Sequence, residues 1–321
     1  MDRSDRQKTI LVTGAAGFIG SNLCASLLAS GSRVIGADNL YSGMRENAAW
    51  LEQYPDFRFI EQDICEVFEP GEPVDEIYHL ACPASPPYYQ RDPIFTAKTC
   101  FTGSLNMLEL AKANNARILL TSTSEVYGNP LEHPQKETYW GNVNPDGVRS
   151  CYDEGKRIAE TLFFDHSRQY GTDIRVVRIF NTYGPHMKED DGRVVSNLII
   201  QAIKGEPMTV YGDGTQTRSF CYVDDTVRGL TRMMANGSFT GPVNIGNPEE
   251  VTVTQLADTI KRLTGSVSEK VFRGIPKDDP VKRRPDISVA YEKLGWAPTV
   301  KLEDGLGRTI EYFSGRIEKD K

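Results

Sequence analysis

The stretch Gly14-Ala15-Ala16-Gly17-Phe18-Ile19-Gly20 directly follows an apolar, strand-like run at residues 8–13 and opens a helical stretch at residues 17–30. In such a motif the first glycine permits a tight turn, the second lets a pyrophosphate approach the backbone, and the third allows close helix–sheet packing. The helix N-terminus adds free N–H groups and a partial positive charge. In this setting the spacing G-x-x-G-x-x-G predicts a dinucleotide site rather than a plain strand–turn–helix connection.

Short β-rich runs alternate with helical stretches through the first half of the chain. We predict strands at residues 8–13, 32–37, 57–61, 76–80, 116–122 and 174–180, and helices at 17–30, 94–114 and 152–170. Apolar strands alternating with helices predict an α/β fold, a Rossmann-type doubly wound parallel sheet covered on both faces. We assign residues 1–185 to this cofactor-binding domain.

The pattern changes after residue 185, where glycine-rich turns separate shorter segments. Helices are predicted near residues 193–204, 224–236, 254–264 and 302–314. Residues 186–321 are therefore expected to form a smaller mixed α/β lobe that binds the substrate and is partly interleaved with the first domain.

Composition excludes several classes of protein. The 321 residues carry a net charge of −7, which argues against a nucleic-acid surface or attraction to an anionic membrane. No apolar run is long enough for a membrane span, and the start of the chain is polar, so we expect a cytosolic protein. The six cysteines show no Cys-x-x-Cys pair and the four histidines are scattered. We therefore expect reduced thiols without a redox partner or catalytic role, and no metal site.

Asp38 ends the second predicted strand, where a carboxylate accepts hydrogen bonds from an adenosine ribose and repels a 2′-phosphate. This position predicts NAD rather than NADP, although Asp38 could instead be a turn residue. Asp63 and Ile64 after the third strand are expected near the adenine, and Leu80 after the fourth near the nicotinamide. The further expected cofactor contacts are Phe18, Ile19, Asn39, Ser42, Gly43 and Thr99.

Tyr152 and Lys156 are four residues apart and share one face of a predicted helix. A tyrosine with a pKa of about 10 is a poor base at neutral pH, and a neighbouring cation should lower that pKa. Alone, such a pair usually marks a solvated helix face. Combined with the glycine motif and with Thr123 at a strand end, it predicts a catalytic base with a hydroxyl beside the substrate oxygen, while Lys156 also holds the nicotinamide ribose.

The trio Thr123, Tyr152 and Lys156 together with the glycine motif resembles the extended short-chain dehydrogenase/reductase superfamily, over residues 8–313. Within it, several strings resemble the UDP-glucuronate decarboxylases (UDP-xylose synthases). They are HLACPASPP at 79–87, STSEVYG at 122–128, SCYDEGKR at 150–157, RIFNTYGP at 178–185, DGRVVSN at 191–197 and KRRPD at 282–286.

The resemblance implies a carboxy-lyase that uses NAD catalytically, without net redox change. Tyr152 would take the proton of the sugar 4-hydroxyl while hydride passes from C4 to NAD⁺. The 4-ketone makes the C5 carboxylate labile, CO₂ leaves, C5 is protonated, and the returning hydride gives UDP-xylose. Open alternatives are a UDP-glucuronate 4-epimerase, a decarboxylase that releases the UDP-4-keto-pentose, and an inactive NAD-binding regulator, against which the intact trio argues.

The resemblance also assigns residues around the sugar. Ser124 stands where related 4,6-dehydratases carry an acidic Asp, and Glu125 is expected to position water or move a proton near C4 and C5. Arg283, with Arg284 as the alternative if the register is shifted by one, would pair with the substrate carboxylate or the pyrophosphate and assist protonation at C5. Tyr89 would meet the carboxylate. The expected nucleotide contacts are Asn181, Arg193, Tyr211 and Arg218. A homodimer is implied through the helices at 94–114 and 152–170.

Overall fold

Seven parallel strands form the central sheet of the computed structural model, which describes residues 7–274 and 282–319. In chain order the strands are β1 Thr9–Thr13, β2 Arg33–Asp38, β3 Phe57–Glu61, β4 Glu76–His79, β5 Arg117–Thr123, β6 Ile174–Ile179, β7 Thr182–Tyr183, β8 Met208–Tyr211, β9 Thr217–Ser219, β10 Cys221–Tyr222, β11 Val243–Ile245, β12 Glu250–Thr252 and β13 Lys270–Arg273. The sheet order is β11-β6-β5-β4-β1-β2-β3. The predicted Rossmann-type doubly wound sheet is confirmed.

Helices cover both faces of this sheet and build the second lobe. They are α1 Phe18–Ala29, α2 Arg45–Leu51, α3 Pro86–Tyr89, α4 Pro93–Lys98, α5 Ser104–Asn114, α6 Ser150–Tyr170, α7 Val194–Lys204, α8 Val223–Ala235, α9 Val253–Thr264, α10 Ser288–Leu294 and α11 Leu302–Lys319. In the described part of the chain, none of them has the length and apolar character needed to cross a membrane.

The strands are continuous apolar runs because both of their faces are covered. In β1 every residue is buried, and Ile10 and Val12 pack into the core on one side of the sheet while Leu11 packs into the core on the other. This alternation follows from the two-residue period of a strand. A sheet buried on both sides leaves only the ends of its strands free for a site.

The chain returns to the central sheet after building part of the second lobe. Strand β11 pairs in parallel with β6, Val243 opposite Val177, although it lies far beyond residue 185. Three residues are too few to show a periodic pattern, so the sequence did not predict it. Elsewhere in this lobe β8 pairs with β13 and β9 with β12, which gives it the expected mixed character.

The stretch at residues 94–114 departs from a single helix. Helices α4 and α5 are joined by a π turn, Thr99–Gly103. An extra residue in such a turn shifts the register of the following helix and is a frequent feature of functional sites. This turn brings Thr99 to the cavity described below.

Close packing at the start of α1 depends on two glycines of the opening motif. Gly14 has a φ of +75°, and a Cβ there would lie 2.9 Å from the backbone nitrogen of Ala81. A Cβ on Gly20 would lie 2.0 Å from the carbonyl oxygen of Gly14. Any side chain at Gly20 must therefore push α1 away from the turn.

We expect Gly20→Ala to lower the free energy of unfolding by about 2 kcal/mol, because the added methyl group overpacks a backbone contact. Urea denaturation followed by circular dichroism measures this change. The matched control is Gly307→Ala, also inside a helix, where nothing lies within 4 Å of the added Cβ and the higher helix propensity of alanine should raise stability by up to about 1 kcal/mol. Equal effects of the two substitutions would contradict the packing argument.

Candidate active site

A cavity of about 760 Å³ lies at the carboxyl ends of the central strands, the usual place for a ligand in a doubly wound sheet. Its volume is that of a typical small-molecule or cofactor site. Nearly all of the residues predicted from the sequence line it. They are Gly14, Gly17, Phe18, Ile19, Gly20, Asp38, Asn39, Ser42, Asp63, Ile64, Leu80, Tyr89, Thr99, Thr123, Ser124, Glu125, Tyr152, Lys156, Asn181, Arg193, Tyr211, Arg218 and Arg283.

The turn after β1 forms a cradle at one end of the cavity. Gly17 precedes α1, and no side chain among the described residues caps that helix at its N-terminus. The first N–H groups of α1 are therefore available to an anionic ligand. Since Gly14 and Gly17 leave no Cβ in the way, these residues fit the pyrophosphate of a dinucleotide.

Asp38, at the end of β2, lies beside this cradle. One oxygen of its buried carboxylate accepts a hydrogen bond from the backbone of Ala16 at 3.1 Å, and the other accepts one from Leu40 at 2.8 Å. Burial raises the pKa of Asp38. Asp38 therefore faces the cavity and also stabilises the turn that follows β2. The interpretation of Asp38 as a cofactor contact and its interpretation as a turn residue are compatible.

Gly43 is the exception among the expected cofactor contacts. It does not line the cavity, and a Cβ at this position would lie 2.8 Å from Oδ1 of Asp38. Gly43 thus packs against the carboxylate of Asp38, and its expected contact with the cofactor stays a prediction. The side-chain amide of the neighbouring expected contact, Asn39, donates to Oδ2 of Asp63 at 3.1 Å. This hydrogen bond connects the segments that follow β2 and β3.

Tyr152, Lys156 and Thr123 meet at the middle of the cavity. Helix α6 carries the first two, both buried, and β5 ends at Thr123. Lys156 donates from Nζ to the carbonyl oxygen of Thr121 at 2.9 Å.

The predicted direction of the Tyr152 pKa is corrected by the structure. Burial raises this pKa well above the usual value, and the neighbouring thiol Cys82 adds to the rise, while a hydrogen bond with Thr123 opposes it. The sequence argument weighed the cation of Lys156 and omitted desolvation, which is the larger effect here.

Tyr89 packs directly against the central tyrosine. The two rings of Tyr89 and Tyr152 are stacked, with centroids 5.2 Å apart and planes 4° apart. Tyr89 is 1% exposed, and its hydroxyl has no hydrogen-bond partner among the described residues. A buried hydroxyl at the cavity wall is a group that a polar ligand can satisfy.

Glu125 lies among guanidinium groups at this end of the cavity. Arg149 donates to its Oε2 at 2.8 Å, Arg283 donates to the same oxygen at 3.1 Å, and Arg218 adds a further positive charge nearby. Burial acts to raise the pKa of Glu125, but the charges of Arg283 and Arg149 outweigh it and hold that pKa below its ordinary value. We call these four residues the arginine cluster.

Arg283 is held in place by the loop that carries it. It is 1% exposed and donates from Nη1 to the carbonyl oxygen of Ser124 at 2.7 Å. The buried Gln135 fixes the loop, because its N–H donates to the carbonyl oxygen of Arg284 and its carbonyl oxygen accepts from Asp286. The side chain of Arg284 is 40% exposed and lies near Glu250, so Arg283 is the residue that enters the cavity.

Three of the remaining expected substrate contacts lie in the second lobe, and the fourth lies near the end of the first domain. Arg193 caps the start of α7 and pairs with Asp191 at 3.2 Å, Tyr211 ends β8, and Arg218 lies in β9. Asn181 follows β6 and accepts a hydrogen bond from Cys221 through its carbonyl oxygen.

Sequence reasoning missed Arg149 and Asp153, which flank Tyr152. Asp153 is buried, and burial together with the charge of Glu125 raises its pKa to about 7. The available signal was their position near Tyr152 at the start of α6. The spacing of Arg149 and Asp153 predicts that they share one helix face, but it does not predict that this face is buried against Glu125. In the described part of the chain, no group of three or more His, Cys, Asp or Glu residues could hold a metal ion.

The chain is similar to a known protein family and to several of its members. The model of the NAD dependent epimerase/dehydratase family matches residues 10–246. UDP-glucuronic acid decarboxylase 6 of Arabidopsis thaliana is 58% identical over 96% of this chain and 89% of its own length. UDP-glucuronic acid decarboxylase 1 of Xenopus tropicalis is 51% identical over 99% of this chain and 75% of its own length.

A solved structure with bound ligands is also similar. UDP-glucuronic acid 4-epimerase from Bacillus cereus, in complex with UDP-glucuronic acid and NAD, superimposes with a TM-score of 0.85 and 30% identity. The match covers 96% of this chain and 99% of that chain.

We expect Glu125→Gln to lower the free energy of unfolding by about 2 kcal/mol at pH 7, because it leaves buried guanidinium groups without their counter-charge. The folded-state pKa of Glu125 lies below its unfolded value. Its contribution is therefore complete above about pH 4.5 and is lost as the pH falls through the folded-state pKa. Urea denaturation at a series of pH values measures the difference.

The control for this prediction is Glu154→Gln in α6, whose exposed pair with Arg157 should contribute less than about 0.5 kcal/mol at any pH. A Glu125→Gln protein as stable as the unsubstituted one at pH 7 would show that the arginine cluster does not need its carboxylate for folding.

Proposed function

Because this chain belongs to the NAD-dependent epimerase/dehydratase family, and within it to the UDP-glucuronate decarboxylases, we propose that it converts UDP-glucuronate to UDP-xylose and CO₂. The reaction uses NAD catalytically, passes through a UDP-4-keto sugar and has no net redox change. The single observation that carries the proposal is the arginine cluster beside Tyr152. It supplies positive charge for a sugar carboxylate next to a candidate base, within an acidic protein.

NAD fits the cradle end of the cavity. The N-terminus of α1 would hold its pyrophosphate, and Asp38 would accept hydrogen bonds from the adenosine ribose. The lining residues already named along β2, β3 and β4 would contact the adenosine and nicotinamide parts. When bound, NAD supplies a hydride acceptor for the oxidation at C4 and a donor for the final reduction.

Tyr152 acts as the base that removes the proton of the 4-hydroxyl and as the acid that returns it. Thr123, hydrogen-bonded to Tyr152, donates to or accepts from the same sugar oxygen. Lys156 contributes a fixed positive charge in a buried setting, which favours the phenolate of Tyr152 against the desolvation that opposes it.

The arginine cluster and Tyr89 act on the carboxylate side of the sugar. Once C4 is a ketone, the carboxylate on C5 is β to a carbonyl, and loss of CO₂ leaves electrons that the carbonyl accepts. Arg283 orients the carboxylate by charge-assisted hydrogen bonds, and the unpartnered hydroxyl of Tyr89 donates to it. Glu125, with Ser124 beside it, positions the water or the proton that is needed for protonation of C5.

The second lobe binds the nucleotide diphosphate. We assign the diphosphate and uridine to Asn181, Arg193, Arg218 and Tyr211, since guanidinium groups suit phosphate oxygens. On this assignment residues 1–185 bind mainly NAD and residues 186–321 mainly the UDP-sugar. We also propose a cytosolic location, for which the six free thiols give support.

We further propose a homodimer that pairs the helices at 94–114 and 152–170 with those of a second copy. Phe101 is 44% exposed and Ile158 is 38% exposed, and together they line a shallow groove between the π turn and α6. Ile94 is also exposed on the same helical segment. Apolar side chains grouped on neighbouring helices suit a helix-to-helix interface.

The experiment that tests the proposed function is incubation of the purified protein with UDP-glucuronate and NAD⁺, followed by CO₂ measurement and NMR of the sugars. We expect CO₂, UDP-xylose and no net NADH. Accumulation of NADH with a 4-keto pentose would mean that the final reduction does not take place. UDP-galacturonate without CO₂ would instead make the protein a 4-epimerase.

Tyr152→Phe should lower turnover by about 10²-fold or more, because it removes the group that exchanges the 4-hydroxyl proton. NAD binding, measured by calorimetric titration, should change little. Tyr170→Phe at the exposed end of the same helix is the matched control and should keep full turnover. Substantial turnover in Tyr152→Phe would exclude Tyr152 as the proton carrier.

Asp38→Ser should weaken NAD binding by at least about tenfold, since a hydrogen bond to a charged group contributes about 1.5–3 kcal/mol. Because the carboxylate also repels a 2′-phosphate, the ratio of NAD affinity to NADP affinity should fall. Titrations with both dinucleotides separate this effect from damage to the turn, which would weaken both equally. Asp146→Ser, in an exposed loop, is the control.

Phe101→Asp should convert the dimer to a monomer, because it places a charge in the apolar interface. Light scattering coupled to size-exclusion chromatography measures the mass. Val67→Asp is the control, because Val67 is also an exposed apolar residue but lies away from the groove. A monomeric unsubstituted protein would contradict the proposed dimer.

A further inference from the structure

Two thiols lie against each other at the wall of the active-site cavity. Cys82 follows β4, Cys100 lies within the π turn, and their sulfur atoms are 3.2 Å apart. The sequence predicted no redox partner for any cysteine, because these two are 18 residues apart without a recognised spacing. The structure nevertheless places Cys100 beside Cys82, since the π turn brings it to the end of β4.

The surroundings of the two thiols differ in a way that suits one attacking and one resolving cysteine. Cys82 lines the cavity and can be reached from solvent, whereas Cys100 is 2% exposed. Gly155 on α6 leaves room for Cys100, because a Cβ at Gly155 would lie 2.9 Å from the Cys100 sulfur. Redox-sensitive cysteines are typically accessible thiolates with a second thiol beside them.

Charge also distinguishes Cys82 from the other thiols. Burial alone would raise its pKa, but the hydrogen bond with Cys100 and the ammonium of Lys156 lower it. Burial raises the pKa of Cys65 to about 11, and that of Cys221 to about 12. The thiolate is the reactive form, so oxidants should select Cys82.

We propose that Cys82 and Cys100 are a modification site at which a hydroperoxide closes a reversible disulfide. The Cys82 thiol releases its proton, the thiolate attacks one peroxide oxygen and the O–O bond breaks. Cys82 becomes a sulfenic acid, and the departing hydroxide takes up the released proton and leaves as water. The Cys100 sulfur then attacks the Cys82 sulfur, the S–O bond breaks, and the departing hydroxide takes the Cys100 proton as water. Two thiols lose two electrons and two protons, and hydrogen peroxide is reduced to two molecules of water.

Closure of this bond would alter the cavity. It would draw the Cys82 sulfur toward the π turn and covalently tie the loop after β4 to the turn that carries Thr99, both of which line the cavity. It would also remove the ionisable Cys82 thiol beside Lys156. We therefore expect the oxidised protein to have low turnover that a thiol reductant restores.

The test is treatment of the whole protein with hydrogen peroxide, then alkylation of free thiols and peptide mass mapping. We expect a peptide pair joined through Cys82 and Cys100 with the loss of two hydrogen atoms, reversed by dithiothreitol. This readout does not depend on the identity of the sugar substrate. A joined pair that involves Cys151, or no joined pair, would overturn the proposal.

A variant pair separates a resolving role from general sensitivity to oxidation. Cys100→Ser should keep most basal turnover, since Cys100 does not line the cavity, but peroxide should carry its Cys82 on to sulfinic acid, which dithiothreitol does not reverse. Cys65→Ser should behave as the unsubstituted protein. If Cys100→Ser recovered from peroxide as fully as Cys65→Ser, Cys100 would not be the resolving thiol.

Discussion

The parallel arrangement of the central strands is the constraint on which the site depends. Parallel strands all end at the same edge of a sheet, and here both faces are buried under helices, so polar groups can collect only at that edge. Asp38 ends β2 and Thr123 ends β5, and the glycine turn follows β1. Residues far apart in sequence therefore line one cavity.

The electrostatics of the cavity differ from those of the molecule as a whole. The chain is acidic, yet the arginine cluster concentrates positive charge where it is screened from water by the surrounding protein. The carboxylate of Glu125 stabilises this arrangement. Without a counter-charge, the buried guanidinium groups would make the free energy of folding much less favourable. On the proposed function, an incoming carboxylate would meet cations that are already oriented, so less reorganisation would be needed on binding.

The sequence predicted the sheet and the cofactor end of the cavity because those features depend on local patterns, whereas the residues around the sugar and its nucleotide were expected from the family resemblance. Apolar runs predict strands. The glycine motif predicts a dinucleotide site, and the Tyr152–Lys156 spacing predicts a catalytic base. What it missed depends on contacts between distant segments. Strand β11 is too short to show a period, and the direction of the Tyr152 pKa follows from burial. Arg149 reaches Glu125 only because α6 begins beside that carboxylate.

The return of the chain to β11 has a consequence for how the protein can be divided. The edge of the sheet at β6 is completed by residues 243–245, after much of the second lobe has been built. A fragment cut at residue 185 would present an open, apolar edge strand, the kind of surface that recruits other chains into aggregates. The dinucleotide-binding half is thus not a portable module, and recombination with a foreign substrate lobe would have to preserve this strand.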